Sequence, residues 1–155
     1  MGYYKLNWDA TIAKEASKVA IGAVIRDQMG LVVGTLQAQK VLFVDSFMAE
    51  AYALMLAVIF CRDMGIQDII MEGDALQVIH VLNKATTDWS QGGVLIANAK
   101  MILNTLHSWS GSHVKREGNK AAHILARNTP SLEEDLYVLE DYPACIHSII
   151  LSEMM

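Results

Sequence analysis

DSFMAEAYALMLAVIFCR, residues 45–62, is the stretch on which the fold turns. Between Asp45 and Arg62 it holds one group that is charged at neutral pH, Glu50. The rest reads as a helix that is apolar almost all the way round. At a helical step of about 100° per residue, Glu50 shares a face with Phe47, Leu54, Ala57 and Cys61. A lone carboxylate on such a face is costly to bury, so it is expected to be raised in pKa, paired, or bound to a cation. The run is too short to span a bilayer, and Glu50 interrupts it. The sequence therefore predicts a central core helix carrying one acid, ending near Gly65 as a C-cap.

Upstream of it, residues 3–11 alternate. Tyr4, Leu6 and Trp8 fall on one side, and Lys5, Asn7 and Asp9 on the other, as in a half-buried strand. Residues 12–18 read as a polar loop, 19–27 as a second strand, 27–30 as a turn and 31–41 as a third strand. Three strands joined by short connections suggest an antiparallel meander. Downstream of the helix, 68–74 (DIIMEGD) reads as a buried strand. A strand–helix–strand crossover makes it parallel to a strand of the meander. Asp74 stands at its carboxyl end, where open α/β sheets place their sites.

Residues 75–83 form a short predicted helix. Ser90 to Leu106 is a longer one, with Val94, Ala97, Met101, Ile102 and Leu106 at helical spacing. SGSHVKRE, 110–117, reads as a short basic final strand, and 119–127 as a helix with Asn119 at its N-cap. The tail from Pro130 is acidic (LEEDLYVLED) and then apolar (ACIHSIIL), and it is expected to dock as a helix or to contact a protein partner. The predicted order is β-β-β-α-β-α-α-β-α, with helices on both faces of a mixed sheet.

The bulk properties set limits. The chain has 155 residues and 53% hydrophobic content, enough for one domain with a real core. A net charge of -5 gives no general attraction for nucleic acid, so any such binding must use a local patch. Cys61 and Cys145 match no zinc or redox spacing. With Cys61 inside the apolar helix, the expected setting is intracellular, nucleus or cytoplasm, rather than secreted. No stretch reads as a signal peptide or membrane span. The opening Met1-Gly2-Tyr3-Tyr4 is compatible with a longer parent chain.

Three acids invite chemistry, and each has a plainer account. Asp9 by position alone is a solvated strand residue or the start of a turn. Asp74 fits a capping box with Gln77. For Glu50, proximity to the helix start explains its sign but not its apolar neighbours. Taken together, one acid each from the first strand, the helix and the fourth strand can converge on one point. Three hard oxygen ligands suit Mg²⁺ or Mn²⁺. Two such ions about 4 Å apart can activate a water and stabilise a leaving oxygen in phosphodiester hydrolysis.

The ordered set KLNWDA (5–10), GAVIRDQMG (22–30), AEAYALMLAV (49–58), MEGDALQVI (71–79) and VKREGNKAAHILAR (114–127) resembles type 1 ribonuclease H. It is most similar to the ribonuclease H-like domains of plant proteins and plant non-LTR retroelements. The resemblance implies an α/β ribonuclease H-like fold over 3–128, with a five-stranded mixed sheet in the order 3-2-1-4-5. Residues 129–155 would be an extension like that of plant members. It implies catalytic Asp9, Glu50, Asp74 and His123, the first three holding a two-metal Mg²⁺ or Mn²⁺ site. Lys115, Arg116 and Asn119 are the expected nucleic-acid contacts, although a solvated strand end is the plainer account of the two cations. The implied activity is endonucleolytic cleavage of RNA in an RNA/DNA hybrid, leaving a 3′-hydroxyl and a 5′-phosphate, by a monomer that needs no membrane.

The chain departs from the family pattern in several places. His123 stands where active members carry a fourth acid; imidazole suits softer metals than Mg²⁺. It could ligate Mn²⁺, touch a metal-bound water or shuttle a proton. No basic protrusion is visible between residues 84 and 100, the link from Val114 to Asn119 is short, Ala10 replaces a usual glycine, and Phe47 and Met48 replace polar residues. These departures leave a second reading open, a catalytically weak or inactive domain that binds nucleic acid or protein. A different nuclease on the same fold is a third.

Overall fold

The computed structural model describes residues 2–13, 17–41 and 45–153. Six strands form one sheet: β1 (Tyr4–Ala13), β2 (Lys18–Arg26), β3 (Val32–Val41), β4 (Asp68–Gly73), β5 (Ser108–His113) and β6 (Leu136–Leu139). Their order is β5-β4-β1-β2-β3-β6, which is the expected 3-2-1-4-5 arrangement with one further strand at the β3 edge. β1, β2 and β3 are an antiparallel meander, and β4 and β5 run parallel to β1. Five helices accompany the sheet: α1 (Ser46–Asp63), α2 (Leu76–Leu82), α3 (Gln91–Leu103), α4 (Lys120–Asn128) and α5 (His147–Glu153).

α1 starts and stops where its chemistry says it should. The Asp45 side chain accepts a hydrogen bond from the Met48 N–H at 2.8 Å. At the other end Gly65 adopts φ +80°, its N–H donates to Arg62 O, and the Ile66 N–H donates to Cys61 O. This Schellman arrangement needs a left-handed residue, which glycine supplies without steric cost. Ala49, Ala53, Leu54, Ala57, Val58 and Cys61 are buried, and they belong to the same core as Leu6, Trp8, Ile21, Ala23, Ile25 and Leu36 of the meander. Each large aliphatic side chain in such a core contributes about 1.5–3 kcal/mol.

The opposite face carries α4. Asn7 and Asp9 alternate out of the α1 core, yet both are buried, so β1 is covered on both sides rather than half-solvated as its alternation suggests. α4 lies closest to β2 at Gly22, where an added Cβ would sit 2.4 Å from both Ala122 O and Ala126 N. Those are backbone atoms and cannot step aside.

Several boundaries differ from those expected. β1 continues through Ile12 and Ala13 instead of giving way to a loop there; Lys14, Glu15 and Ala16 of that expected loop lie outside the described residues. β5 ends at His113, so Lys115 and Arg116 sit on the following turn and the strand carries neither of them. α3 buries Gly92, Gly93, Ile96, Ala99 and Leu103, while Val94 and Met101, expected at core spacing, are exposed. The tail is not simply helical. Its first half forms β6, antiparallel to β3, and Ile146 and Ile150 from its second half pack with Val24, Ala121 and Leu125. Among the described residues no helix is long and apolar enough to cross a membrane.

The Gly22 contact gives a direct test of how α4 is seated. Gly22→Ala should lower unfolding free energy by about 2–3 kcal/mol in urea denaturation, because overpacking against backbone has no side chain to relax it.

Candidate active site

β1 outruns its parallel neighbour. The β1–β4 pairing ends at Trp8 opposite Gly73, so Asp9 and Asp74 lie side by side where the ladder stops. The next β1 N–H, on Ala10, has no β4 carbonyl to meet. Glu50 fills that place: its Oε1 accepts from the Ala10 N–H at 3.2 Å. The acid predicted on the apolar face of α1 is thus aimed at the end of the sheet. It lies beyond the first turn of α1, so the helix dipole does not account for it.

Asp9, Glu50 and Asp74 offer oxygen atoms that all lie within 4.8 Å of one another; among the described residues they are the one group of three or more His, Cys, Asp or Glu side chains so placed. Asp9 is 1% exposed. Asp9 Oδ1, Glu50 Oε2 and Asp74 Oδ2 are buried and make no hydrogen bond. Each such oxygen costs free energy unless something satisfies it. An all-oxygen, hard donor set fits Mg²⁺ or Mn²⁺ and fits zinc or copper poorly. These three residues could hold such an ion with modest closure of the carboxylates.

The charges confirm the strain. The Glu50 carboxyl is pushed up to about 10, first by burial and then by the neighbouring Asp9 carboxylate, with Asp74 adding to the effect and the Ala10 N–H opposing it. Asp74 is also raised, by burial and by Asp9, against the pull of Arg116 and His123. Without a cation the cluster therefore keeps Glu50 protonated at neutral pH.

Asp74 does not cap α2. Ala75 occupies the N-cap position and makes no side-chain cap bond, so the capping-box expectation with Gln77 fails. The carboxylate turns instead toward Arg116, whose Nε lies 3.5 Å from Asp74 Oδ2. The guanidinium is 66% exposed, and the contact is an ion pair without a good hydrogen bond, worth at most about 1 kcal/mol.

His123 is brought to the site but not into the oxygen cluster. Its Nδ1 meets Asp9 Oδ2 at 2.7 Å. It sits at the second turn of α4, one turn after Asn119. Asn119 does occupy the N-cap position but makes no cap bond. Its side chain points inward, donating from Nδ2 to the Trp8 carbonyl at 2.9 Å and accepting at Oδ1 from Asn7 Nδ2 at 3.1 Å. Asn119 is 2% exposed, with both Nδ2 and Oδ1 engaged inside the fold. Lys115 and Arg116 are both exposed on the turn before α4, next to the acids.

A cavity of about 360 Å³ opens over the acids, lined among others by Ala10, Ile12, Ala49, Ala75 and Arg116. Ala10, Ile12, Ala49 and Ala75 supply its apolar part, and Ser46, Glu50, Asp74 and Arg116 its polar part. In the stretch from 84 to 100, Lys100 Nζ donates to the Lys84 carbonyl and Trp89 is 83% accessible. Two features escaped sequence reasoning: Asn7, buried against Asn119, and the Ala10 N–H. Their partners lie 112 and 40 residues away in sequence, and no local pattern marks them.

Residues 7–129 match the family described as reverse transcriptase-like. The structure is similar to RNase H1 from the halophilic archaeon Halobacterium salinarum NRC-1, with a TM-score of 0.76 and 24% identity over 84% of this chain and 98% of that one. It is similar to the N-terminal RNase H domain of a Mycobacterium tuberculosis protein, solved as a fusion with maltose-binding protein, with a TM-score of 0.73 and 15% identity over 84% and 95% of the chains. LC11-RNase H1, isolated from compost and solved in complex with an RNA/DNA hybrid, gives 0.70 and 18% over 81% and 95%. At these identities the likeness is one of fold. Among curated proteins no sequence matches.

The raised Glu50 carboxyl has a measurable consequence. Between its ordinary value of 4.5 and about 10, the native state holds a proton that the unfolded chain has released. Stability contributed by this group therefore falls as pH rises across that window. Metal-free Glu50→Gln should melt several degrees higher than the parent near pH 8 and show a flatter pH dependence, with the two converging near pH 5 in thermal denaturation.

Proposed function

The chain belongs to the reverse transcriptase-like family and has the ribonuclease H-like fold, and on that premise we propose that it is a metal-dependent endonuclease that hydrolyses the RNA strand of RNA/DNA hybrids. One observation carries this reading: oxygen atoms of Asp9 on β1, Glu50 on α1 and Asp74 just past β4 lie within 4.8 Å of one another, and each of the three carboxylates keeps one buried oxygen without a hydrogen bond. The hybrid is assigned because LC11-RNase H1 was solved with one and because the sequence motifs resemble type 1 ribonuclease H. The finer resemblance to plant retroelement domains belongs to the same reading.

Asp9, Glu50 and Asp74 would hold the metal, Mg²⁺ or Mn²⁺, as a two-ion site. When bound, the ions supply a nucleophilic water at neutral pH and stabilise the leaving oxygen of the phosphodiester. The protein's own work is to place the acids. The Ala10 N–H orients Glu50, and burial keeps the carboxylates starved of other donors until a cation arrives. Cation binding must expel the proton from Glu50, so affinity rises with pH. His123 holds one Asp9 oxygen and fixes that carboxylate's rotation. It is also placed to take or return a proton beside the site. Arg116 offsets Asp74 in the free protein and is the cation lining the cavity, so it can turn outward to a substrate phosphate. Lys115 stands beside it.

The second reading is a weak or inactive domain that binds nucleic acid or protein. It is favoured by His123 occupying the fourth acid's place and by the engagement of Asp9 with His123 and of Asp74 with Arg116.

Purified protein on a labelled RNA/DNA hybrid with Mg²⁺ and then Mn²⁺ separates the two. The expected outcome is cleavage, stronger in Mn²⁺, abolished in Asp9→Asn and increased in His123→Asp with Mg²⁺. No cleavage by the parent or by a folded His123→Asp variant would leave the binding module. Arg116→Ala should raise KM several-fold and reduce the slope of log affinity against log salt by about one, as expected for one lost phosphate contact.

A further inference from the structure

α5 ends on Glu153, whose carboxylate meets Arg26 Nη2 at 2.5 Å. Arg26 is no ordinary surface cation: its side chain is only 14% exposed. Its Nη1 lies 3.5 Å from Asn7 Oδ1, at the outer limit of a hydrogen bond. Asn7 Nδ2 in turn donates to Asn119 Oδ1 at 3.1 Å, and Asn119 Nδ2 donates to Trp8 O at 2.9 Å. Trp8 precedes Asp9 in the chain. The His123 N–H donates to Asn119 O at 3.1 Å, one turn along α4. A run of polar contacts thus leads from the last helix to both members of the His123–Asp9 pair.

The cost of this arrangement is informative. Asn7 and Asn119 are buried amides, each tolerable only with its partners in place. Asn119 also forgoes the cap bond that its position offers, typically worth about 1 kcal/mol. Packing alone would not require either. α4 presents mostly alanines to the sheet, and its C-terminal half is held by Gly22, Gln37 and Thr129, so the Asn119 amide is what ties its N-terminal end to β1. An amide fixed at both ends sets the rotation there, and a turn of α4 by one residue, about 100°, would carry His123 away from Asp9. Meanwhile the other face of α4 is covered by the same tail through Ile146 and Ile150.

We propose that the C-terminal segment is a positioning element of the acid site. Glu153 holds Arg26, Arg26 orients Asn7, and Asn7 fixes Asn119, which seats α4 so that His123 grips Asp9. Asn7, Arg26 and Glu153 touch no substrate and act through that pair. The activity part of this inference rests on the nuclease reading above, whereas the positional part does not.

The test uses the full chain with Glu153→Ala, Glu153→Asp and Asn7→Ala. Side-chain amide resonances of Asn7 and Asn119 and ring nitrogens of His123 are followed by NMR in the metal-free protein. Hybrid cleavage in Mn²⁺ is measured alongside. Glu153→Ala should move the Asn119 and His123 signals while leaving the β-sheet amides in place, and should lower kcat about 2–5-fold at unchanged KM, the scale of one exposed ion pair. Glu153→Asp should restore most of both. Asn7→Ala should move the same His123 signals further and lower kcat about tenfold or more, since a small misplacement far from the chemistry is costly. If Glu153→Ala leaves the Asn119 and His123 signals unmoved in a folded protein, the proposal is overturned. If the parent does not cleave, the nuclease reading fails, and the resonances alone still decide this one.

Discussion

The whole site hangs on a length mismatch between two parallel strands. β4 stops pairing with β1 at Trp8 and Gly73, and β1 continues for five residues with β2 alone. A buried strand edge normally leaves backbone donors that must be satisfied from elsewhere. Here the side chain of Glu50 takes the place of a missing strand, which draws an acid from α1 into the gap. Asp9 and Asp74 flank the same gap because they are the first residues past the shared ladder. Three carboxylates are therefore gathered by the ordinary need to finish a sheet, and their repulsion follows from the fold.

That repulsion is met by two side chains of different character. Arg116 is mostly solvated, so it offsets Asp74 weakly. His123 is half-buried and hydrogen-bonded, so it holds Asp9 in one orientation. Asp9 Oδ1 and Glu50 Oε2 stay without a donor, and Asp74 Oδ2 has only the 3.5 Å approach of Arg116 Nε. The free protein thus carries unsatisfied carboxylate oxygens that a divalent cation would relieve, and on the nuclease reading stability and ion binding would become one equilibrium. The rest of α4 is held by further side-chain bonds. Thr129 Oγ1 donates to Leu125 O at 2.7 Å and Ile21 O at 3.2 Å, and Gln37 Nε2 donates to Leu125 O at 3.1 Å. With Gly22 admitting the helix backbone to the sheet, these bonds pin the helix that carries His123.

Much of this is legible in the amino-acid sequence. α1 is marked by its apolar run and its end signals, and the meander and the β4 crossover by alternation and connection length. Glu50 stands out because no local rule explains it. What local rules did explain misled: Asp74 and Asn119 both occupy plausible capping positions, and both side chains turn elsewhere. In each case a tertiary partner takes the place of the cap, Arg116 for Asp74, Trp8 and Asn7 for Asn119. The face of β1 that looked solvated is buried because α4 arrives from over 100 residues away, as the Asn7–Asn119 separation of 112 shows. β6 has the Tyr, Val and Leu content of a strand, but its acidic flanks hid it until β3 offered an edge.

The histidine at position 123 then has a physical meaning beyond a lost ligand. A fourth carboxylate there would face Asp9 at the distance now closed by a hydrogen bond, adding repulsion to a cluster that already forces a proton onto Glu50. Such a site would bind a hard cation tightly and be correspondingly unstable without one. An imidazole removes one negative charge and supplies a donor, so the cation-free fold is relieved at the expense of its grip on Mg²⁺. On the nuclease reading, His123 would weaken the electrostatic hold on metal while keeping Asp9 oriented, and catalytic competence would depend on which of the two limits the reaction.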